Sequence, residues 1–397
     1  MNNDIEYEEI SPYVFVTKLA GFEHSEYIQP NATKIPMNTK DIPMVQGKNI
    51  RGGEFVEKYD WYIKKEISDS LPRSILNKRC ILIPYVGSNL GEVGIFPNKY
   101  VCHLASNIAK VELNSDKYLL EYMKYYMQSP IGQSYLFQAK QGSSQPNITM
   151  ESIRKTKIIK KSIDEQIKIV SILSSIDAQI KRNNDMVQKL QVLSQGIFNK
   201  FFSNETNHIS LLDFPYIQII KPGIDRFEGS KHYIATAEVD KDKVNYNAPL
   251  IEYETRENRA NMQPVKNSVW FAKLKNSIKH IYVSNVDSML CSNYIFSTGF
   301  AGIKCEDIVY EYLINFINTS YFEMKKDILS HGATIEGVNN DDLKSIQIPL
   351  PSKDRLVDFH NKVKELHYQI TKLNEQTFKL NDLKEKLLPL LINGQLI

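Results

Sequence analysis

The 397-residue sequence predicts an α+β chain. Two domains of mixed, β-rich architecture are expected to be separated by two long antiparallel helices forming a coiled coil, in a pseudo-twofold arrangement. Three observations predict this: a long internal repeat, a heptad pattern within each copy of it, and two intervening regions of short β-prone runs broken by Gly, Pro, Asn and Asp.

The repeat comes first because it fixes the organisation. At an offset of 190 residues the stretch from about 148 to 202 lands on 338 to 392 without a gap. Ile158 meets Ile348, Ser162 meets Ser352, Asp164 meets Asp354, Gln179-Ile180 meets Gln369-Ile370, Asn184 meets Asn374 and Lys189-Leu190 meets Lys379-Leu380. Like replaces like at Ile153 and Leu343, Arg154 and Lys344, Ile176 and Leu366, and Phe201 and Leu391. A repeat of this length means two copies of one unit, which divides the chain into residues 1–148, 149–205, 206–340 and 341–397.

Each copy begins with a β-prone piece, Lys157 to Lys160 or Ile346 to Leu350. A helix start follows. Ser162 with Glu165 fits a capping box, Ser352 can cap the second helix, and Pro349 and Pro351 stop any earlier helix from running through. Ile176, Ile180, Val187, Leu190 and Ile197 then lie on a heptad seam, as do Leu366, Ile370, Leu373, Leu380 and Leu387, so these ten residues are expected to pair the helices. A helix of ~40 residues would span roughly 60 Å. Asn183, Ser194, Thr377 and Lys384 fall on the seam as well, where polar residues cost stability but can set register and partner. Gly394 marks the stop.

The regions between the helices hold runs such as Cys80-Ile81-Leu82-Ile83-Pro84-Tyr85, Val269-Trp270-Phe271-Ala272 and Ile281-Tyr282-Val283. A helical stretch follows in each, Lys117 to Tyr126 and Glu306 to Asn318. Similar design with unlike surface suits an asymmetric target with two different halves. The order domain, helix, domain, helix makes the helices antiparallel if both join the same two domains, and a pseudo-twofold protein suits a locally twofold DNA duplex.

Composition narrows the class. Hydrophobic residues make up 42% and charged residues 24%, the balance of a folded chain. No apolar run reaches membrane-spanning length and the acidic first ten residues do not read as a secretory signal, so a cytoplasmic protein without a membrane is expected. Cys80, Cys102, Cys291 and Cys305 contain no C-x-x-C pair and read as reduced, mostly buried thiols. The net charge of +3 is small; the only basic excess, 10 Lys and Arg against 6 Asp and Glu, lies in 149–205, and a solvated helix face accounts for it as well as phosphate binding does.

Several local motifs resemble those of specificity subunits of type I restriction–modification systems. Gly142-Ser143-Ser144-Gln145-Pro146-Asn147-Ile148 followed by Ile153 resembles that family's junction between target recognition domain and helix, and Gly332-Ala333-Thr334-Ile335-Glu336-Gly337-Val338 is a looser second copy. Asp164-Glu165-Gln166-Ile167 resembles its helix start, from which Asp354-Arg355-Leu356-Val357 departs. The endings Gly196 to Phe202 and Leu387 to Gly394 are also similar. Each motif alone is weak, but the two copies in order cover nearly the whole chain. The resemblance implies two target recognition domains, 1–148 and 206–340, each reading half of a bipartite asymmetric sequence in double-stranded DNA. It implies helical spacers, 149–205 and 341–397, that dock two adenine methyltransferase subunits, with motor-nuclease subunits completing the complex. S-adenosylmethionine, ATP and Mg then belong to the partners, with no cofactor on this chain. A type IIB-like methyltransferase–nuclease system would use a similar chain.

No catalytic constellation competes. Asp213-Phe214-Pro215-Tyr216 resembles the Asp/Asn-Pro-Pro-Tyr/Phe loop of amino-methyltransferases, but Phe214 breaks it and no glycine-rich cofactor loop precedes it. Gly87 to Gly94 lacks the Gly-Lys-Ser/Thr ending of a phosphate loop and reads as a hairpin turn. Glu323-Met324-Lys325 lacks the upstream Pro-Asp of a nuclease and reads as surface. No histidines stand at metal-binding spacing. A non-catalytic subunit is expected, rather than a stand-alone methyltransferase or nuclease. A plain coiled-coil scaffold would have no use for two divergent domains.

Base reading needs polar side chains on loops and phosphate contact needs cations. The first domain offers Lys48, Asn49, Arg51, Ser88, Asn89, Ser143, Ser144, Gln145 and Asn147. The second offers Arg256, Arg259, Asn261, Lys273, Lys275, Asn276, Lys279 and Thr334. Any one of these residues is as well explained by a solvated loop, and neither domain is basic overall, so binding by the chain alone is expected to be weak.

Overall fold

A computed structural model describes residues 5–138, 147–246, 248–332 and 336–396. The chain forms two compact units, Met1–Gln179 with Leu380–Ile397, and Ile180–Lys379. The helical spacers are therefore not bodies of their own, because each long helix gives one end to each unit.

In the first unit a short strand, Tyr7–Glu9, pairs antiparallel with Lys157–Ile159, the strand that leads into the first long helix. Two four-stranded sheets lie between. One has the order Val14–Lys18, Ile108–Leu113, Cys80–Pro84, Gly94–Phe96, with antiparallel neighbours throughout. The other has the order Tyr62–Ile63, Ile42–Val45, Cys102–Leu104, Ile75–Leu76, and its two central strands are parallel. Helices Leu120–Gln128 and Pro130–Leu136 cover the first sheet through Tyr122, Met123, Tyr126 and Leu136, all fully buried.

The second unit repeats this plan. His208–Ser210 pairs with Gln347–Pro349 ahead of the second long helix. One sheet runs Ile217–Ile220, Phe300–Cys305, Ser268–Ala272, His280–Val283. The other runs Leu250–Glu252, Ser230–Ile234, Tyr294–Ser297, Ala260–Met262, again with a parallel central pair. Helices Asp307–Ile317 and Ser320–Leu329 occupy the covering role. Strands such as Ser268–Ala272 are buried on both faces, which is why they read as continuous apolar runs rather than alternating ones.

The long helices span Ile163–Phe202 and Lys353–Ile392, 40 residues each. The Ser162 capping box forms: Glu165 N donates to Ser162 Oγ at 3.3 Å and Ser162 N donates to Glu165 Oε2 at 2.8 Å. Ser352 Oγ accepts from Arg355 N at 3.4 Å. Gly394, at φ 73°, ends the second helix in the left-handed region that suits glycine.

The helices meet antiparallel within each unit. In the first, Ile169 and Leu173 share a core with Leu388, Leu391 and Ile392, and Asp177 bonds Lys384 at 2.5 Å. In the second, Asn183 donates to Thr377 Oγ1 at 3.3 Å, Ser194 bonds His367 at 2.8 Å, and Phe198 and Phe202 pack on Phe359. Ile176, Val187 and Ile370 are buried, whereas Ile180, Leu190, Ile197, Leu366, Leu373, Leu380 and Leu387 are half-buried. The stripe is broader than the heptad seam: Leu356, Phe359, Val363 and Leu391 are more deeply buried than Leu373 or Leu380. These helices pack on domains as well as on each other, which widens the apolar face beyond the two positions of a free coiled coil.

Two predictions follow from packing and burial. A Cβ at Gly302 would lie 2.5 Å from the Trp270 ring, itself fully buried, so Gly302→Ala should cost about 1–3 kcal/mol in urea unfolding. Burial pushes the His367 imidazole down to about 4, from an ordinary 6.5. The unfolded chain therefore takes up the proton first as pH falls. Stability is full above about pH 6.5 and drains away toward pH 4, by ~3 kcal/mol in all. Urea midpoints measured across that window should show a shallower slope in His367→Gln than in the parent chain.

Candidate nucleic-acid interface

In the first unit, three loop segments singled out from the sequence converge at one place. Residues Ile50–Arg51 and Glu54–Phe55 form a tight hairpin whose turn, Gly52-Gly53, has φ 58° and 76°, the geometry only glycine adopts without strain. The turn presents Arg51, which is exposed, beside Glu54 on the facing strand. The 85–93 connection is the hairpin between Cys80–Pro84 and Gly94–Phe96, and it is pinned to the first hairpin. Asn89 Nδ2 donates to Ile50 O at 2.6 Å and Glu92 Oε2 accepts from Gly53 N at 2.9 Å. Ile148 N donates to Tyr85 O at 3.0 Å, which brings Asn147, exposed, to the same rim. Ser143, Ser144 and Gln145 lie outside the described residues.

This geometry sorts the candidates. Arg51, Ser88 and Asn147 are exposed. Lys48 is exposed and paired with Asp60. Asn49 is a correction. It is 1% exposed, its Oδ1 accepts from Gln46 N at 2.8 Å, and its Nδ2 donates to Val56 O and Lys58 O at 2.8 Å each. Its amide is consumed in shaping the loop and is not placed to reach a base. Asn89 is likewise mainly a loop tie. The residues that the sequence did not flag are the fasteners: Asn107, whose Oδ1 accepts from Gly47 N at 2.9 Å, Glu92, and Lys18, whose Nζ lies 4.6 Å from the Tyr85 ring centre. Nothing in their local sequence marks them, because each acts across the fold.

In the second unit, Arg259 and Lys273 flank the turn before Phe300. Thr298 N donates to Arg259 O at 2.8 Å and Lys273 N donates to Gly299 O at 2.9 Å. Arg259 is exposed and Lys273 half-buried, and neither joins an ion pair among the described residues. Burial, and then the Arg259 charge, hold the Lys273 ammonium below its ordinary range. A half-buried lysine beside a second cation, neither paired with an anion among the described residues, suits a phosphate, which would relieve the repulsion. Asn261 is half-buried on the adjoining strand. Lys275 is exposed but paired with Glu336 at 2.5 Å.

Three further candidates in this unit have local structural roles. Arg256 lies 4.1 Å from the Tyr253 ring centre and donates to Tyr253 O, so it braces its own loop. Lys279 is half-buried and donates to Thr236 O at 2.5 Å. Asn276 sits at φ 57° with its N donating to Asp327 Oδ1 at 2.9 Å, which makes it a turn residue. Thr334 lies outside the described residues.

The motifs weighed as catalytic serve the core. Phe214 is buried and stacks on Tyr312 at 5.6 Å. Glu323, expected at the surface, is instead tucked between His280 at 2.9 Å and the fully buried Lys326 at 2.6 Å, because the helix turns that face inward. Among the described residues no group of His, Cys, Asp and Glu could hold a metal ion, and no helix is long and apolar enough to cross a membrane. Cys80, Cys102 and Cys305 are buried and Cys291 half-buried, all as free thiols.

The family model described as the type I restriction modification DNA specificity domain matches residues 31–192, most of the first β-rich domain and most of the first long helix. That match covers less than half of the chain and lies in the first unit and its long helix. The chain is 22% identical over 344 residues to a putative type I restriction enzyme MjaX specificity subunit of Methanocaldococcus jannaschii, covering 80% of this chain and 78% of that one. Its fold is that of a type I restriction–modification S subunit from M. genitalium. The TM-score is 0.53 at 14% identity, over 98% and 97% of the two chains.

The division of labour in the first cluster is testable. Asn49→Ala strands buried partners and should cost about 1–3 kcal/mol in thermal unfolding. Arg51→Ala, at the exposed rim, should change stability by no more than about 0.5 kcal/mol.

Proposed function

We propose that this specificity subunit reads a bipartite, asymmetric sequence in double-stranded DNA, one half with each recognition domain. The helices dock two adenine methyltransferase subunits, and motor-nuclease subunits complete the restriction complex. In this reading the chain is non-catalytic and works in the cytoplasm. S-adenosylmethionine, ATP and Mg are bound by its partners.

The observation that carries the reading is a single sheet plan used twice with unlike loops. The first domain offers Arg51, Ser88 and Asn147 from loops pinned to each other, a cluster suited to base edges. The second offers the Arg259 and Lys273 pair, suited to phosphate. Few unpaired cations appear in either place, so much of the phosphate contact must come from partner subunits.

The test is methylation of a DNA library by this chain mixed with an adenine methyltransferase subunit from the same genome, with each also assayed alone. Methylation by the mixture only, at one split asymmetric sequence, is expected. Exchange of residues 206–340 with those of a relative should change one half-site and leave the other. Methylation by this chain alone, or no target with any methyltransferase, would defeat the proposal. In the assembled complex, Arg259→Ala should weaken DNA binding evenly across sequences and lower the salt dependence by about one phosphate contact.

A further inference from the structure

The constant offset between the helices gives every facing pair a counterpart. Asp177 is equivalent to His367 and Ser194 to Lys384. In the first unit Asp177 Oδ1 accepts from Lys384 Nζ at 2.5 Å. In the second unit the equivalent pair is Ser194 with His367, at 2.8 Å. One position is thus filled by an ion pair and its twin by a neutral hydrogen bond.

The surroundings differ in step. Asp177 Oδ2 also accepts from the Tyr125 hydroxyl at 2.7 Å and from Lys124 at 3.4 Å. The residue equivalent to Tyr125 is Asn315, and it donates to Ser194 Oγ at 2.9 Å. Burial opposes charge on Asp177, but Lys384 and Lys124 outweigh it and hold the carboxyl below its ordinary range. A second polar pair joins Asn183 to Thr377 at 3.3 Å, while their equivalents are Leu373 and Val187. The helix ends differ too. Leu388, Leu391 and Ile392 enter the core of the first unit, where Phe198, Phe201 and Phe202 enter or border that of the second.

We propose that these mismatched counterparts form a pairing code, by which the first long helix accepts the second long helix and rejects the same helix of another copy of this chain. The register makes the argument concrete. Were the first helix to meet its own copy in the same antiparallel register, Asp177 would face Ser194 and Asn183 would face Val187. Phe198 would enter the space shaped for Leu388. The second helix against its own copy would set His367 against Lys384, Thr377 against Leu373, and Leu388 against Phe359. Each such pairing takes from a seam residue the polar partner it faces, although Asp177 keeps Lys124 and Tyr125, or misfills the core. Penalties that act on the wrong pairing and not on the right one are what give specificity.

A chain built from a repeat needs this device, since equivalent helices otherwise compete for the same seat. Rejection keeps one copy of each unlike domain in every particle. The pairing inference rests on the helix contacts alone and stands or falls independently of DNA reading.

The test begins with the full chain. A protease site is placed after Asn204, which is exposed, and the folded protein is cut, dissociated in urea and refolded. Native mass spectrometry then counts pairs of unlike and of like fragments. Unlike pairs should dominate, whereas indifferent helices would give only about half by statistics. Asp177→His with Lys384→Ser, which copies the second unit's pair into the first, should raise the share of like pairs about tenfold. Exchanging the second pair, Asn183→Thr with Thr377→Asn, keeps like helices mismatched at Val187 and Leu373 and should leave it unchanged. A statistical mixture from the parent chain, or no change in the His/Ser variant, overturns the proposal. Should the fragments not refold, the uncut chain decides. Asp177→Ala and Lys384→Ala should each lower the urea midpoint and the double variant should lose clearly less than the sum of the two, while additive losses overturn the code.

Discussion

Neither long helix can bury its apolar stripe alone, and that constraint organises the molecule. Forty residues of amphipathic helix leave a continuous apolar face that needs cover along its whole length. Part of the cover comes from the partner helix running the other way, and part from a β-rich domain. Ile169 and Leu173 share a core with Tyr122 and Tyr126 of the first domain as well as with Leu391, and Phe202 packs against Tyr312 as well as Phe359. The helices are therefore structural members of both units. This explains why the chain divides within the helices, near Gln179 and Lys379, and not at the sequence boundaries of the repeat.

The strand pairings that close each unit serve the same end. Tyr7–Glu9 binds the strand that enters the first long helix and His208–Ser210 the strand that enters the second. Each fixes where its helix starts, so the domain and its helix keep one relation. On this shared frame the loops are free to differ. In the first unit the hairpin at Gly52-Gly53 is tied into a polar cluster, and in the second the turn at Ser297 to Phe300 lies beside a pair of cations. Framework and loops are thus separable: substitutions in the exposed loops can change the surface they present without disturbing what holds the chain together.

The repeat and the helix limits were legible in the sequence because they depend on periodicity and on local caps. Ser162, Glu165 and Gly394 act within a few residues of themselves, and the structure shows each in that role. The parallel strand pair in each unit was not legible, since Ile42–Val45 and Cys102–Leu104 lie far apart in the chain. Side-chain fate was harder still. Asn49 and Arg51 stand two residues apart in a loop that reads as polar throughout, yet one is consumed by Gln46, Val56 and Lys58 and the other is exposed. Glu323 looked like surface because its partner His280 comes from a distant strand. Polar residues on the seam could be found by their spacing, but which of them face each other emerges only with the antiparallel register.

That register gives the polar seam its meaning. Leucine at Asp177, Asn183, Lys384 and Thr377 would bury more apolar area, and exchanging a buried ion pair for apolar packing is often neutral or stabilising. A uniform apolar seam would also be the same for like and unlike helices, because two copies of a repeat present the same stripe. Stability alone cannot distinguish the right pairing from the wrong one in such a chain. Only a feature that differs between the copies can, and the seam differs where it is polar or where Phe198 and Phe202 stand opposite in kind to Leu388 and Ile392. The same reasoning applies to the domains, whose asymmetry would be lost in a particle made of like halves. In the proposed function, divergence in the seam and divergence in the loops are therefore coupled, since two unlike reading surfaces would be useful only if the helices bring unlike halves together.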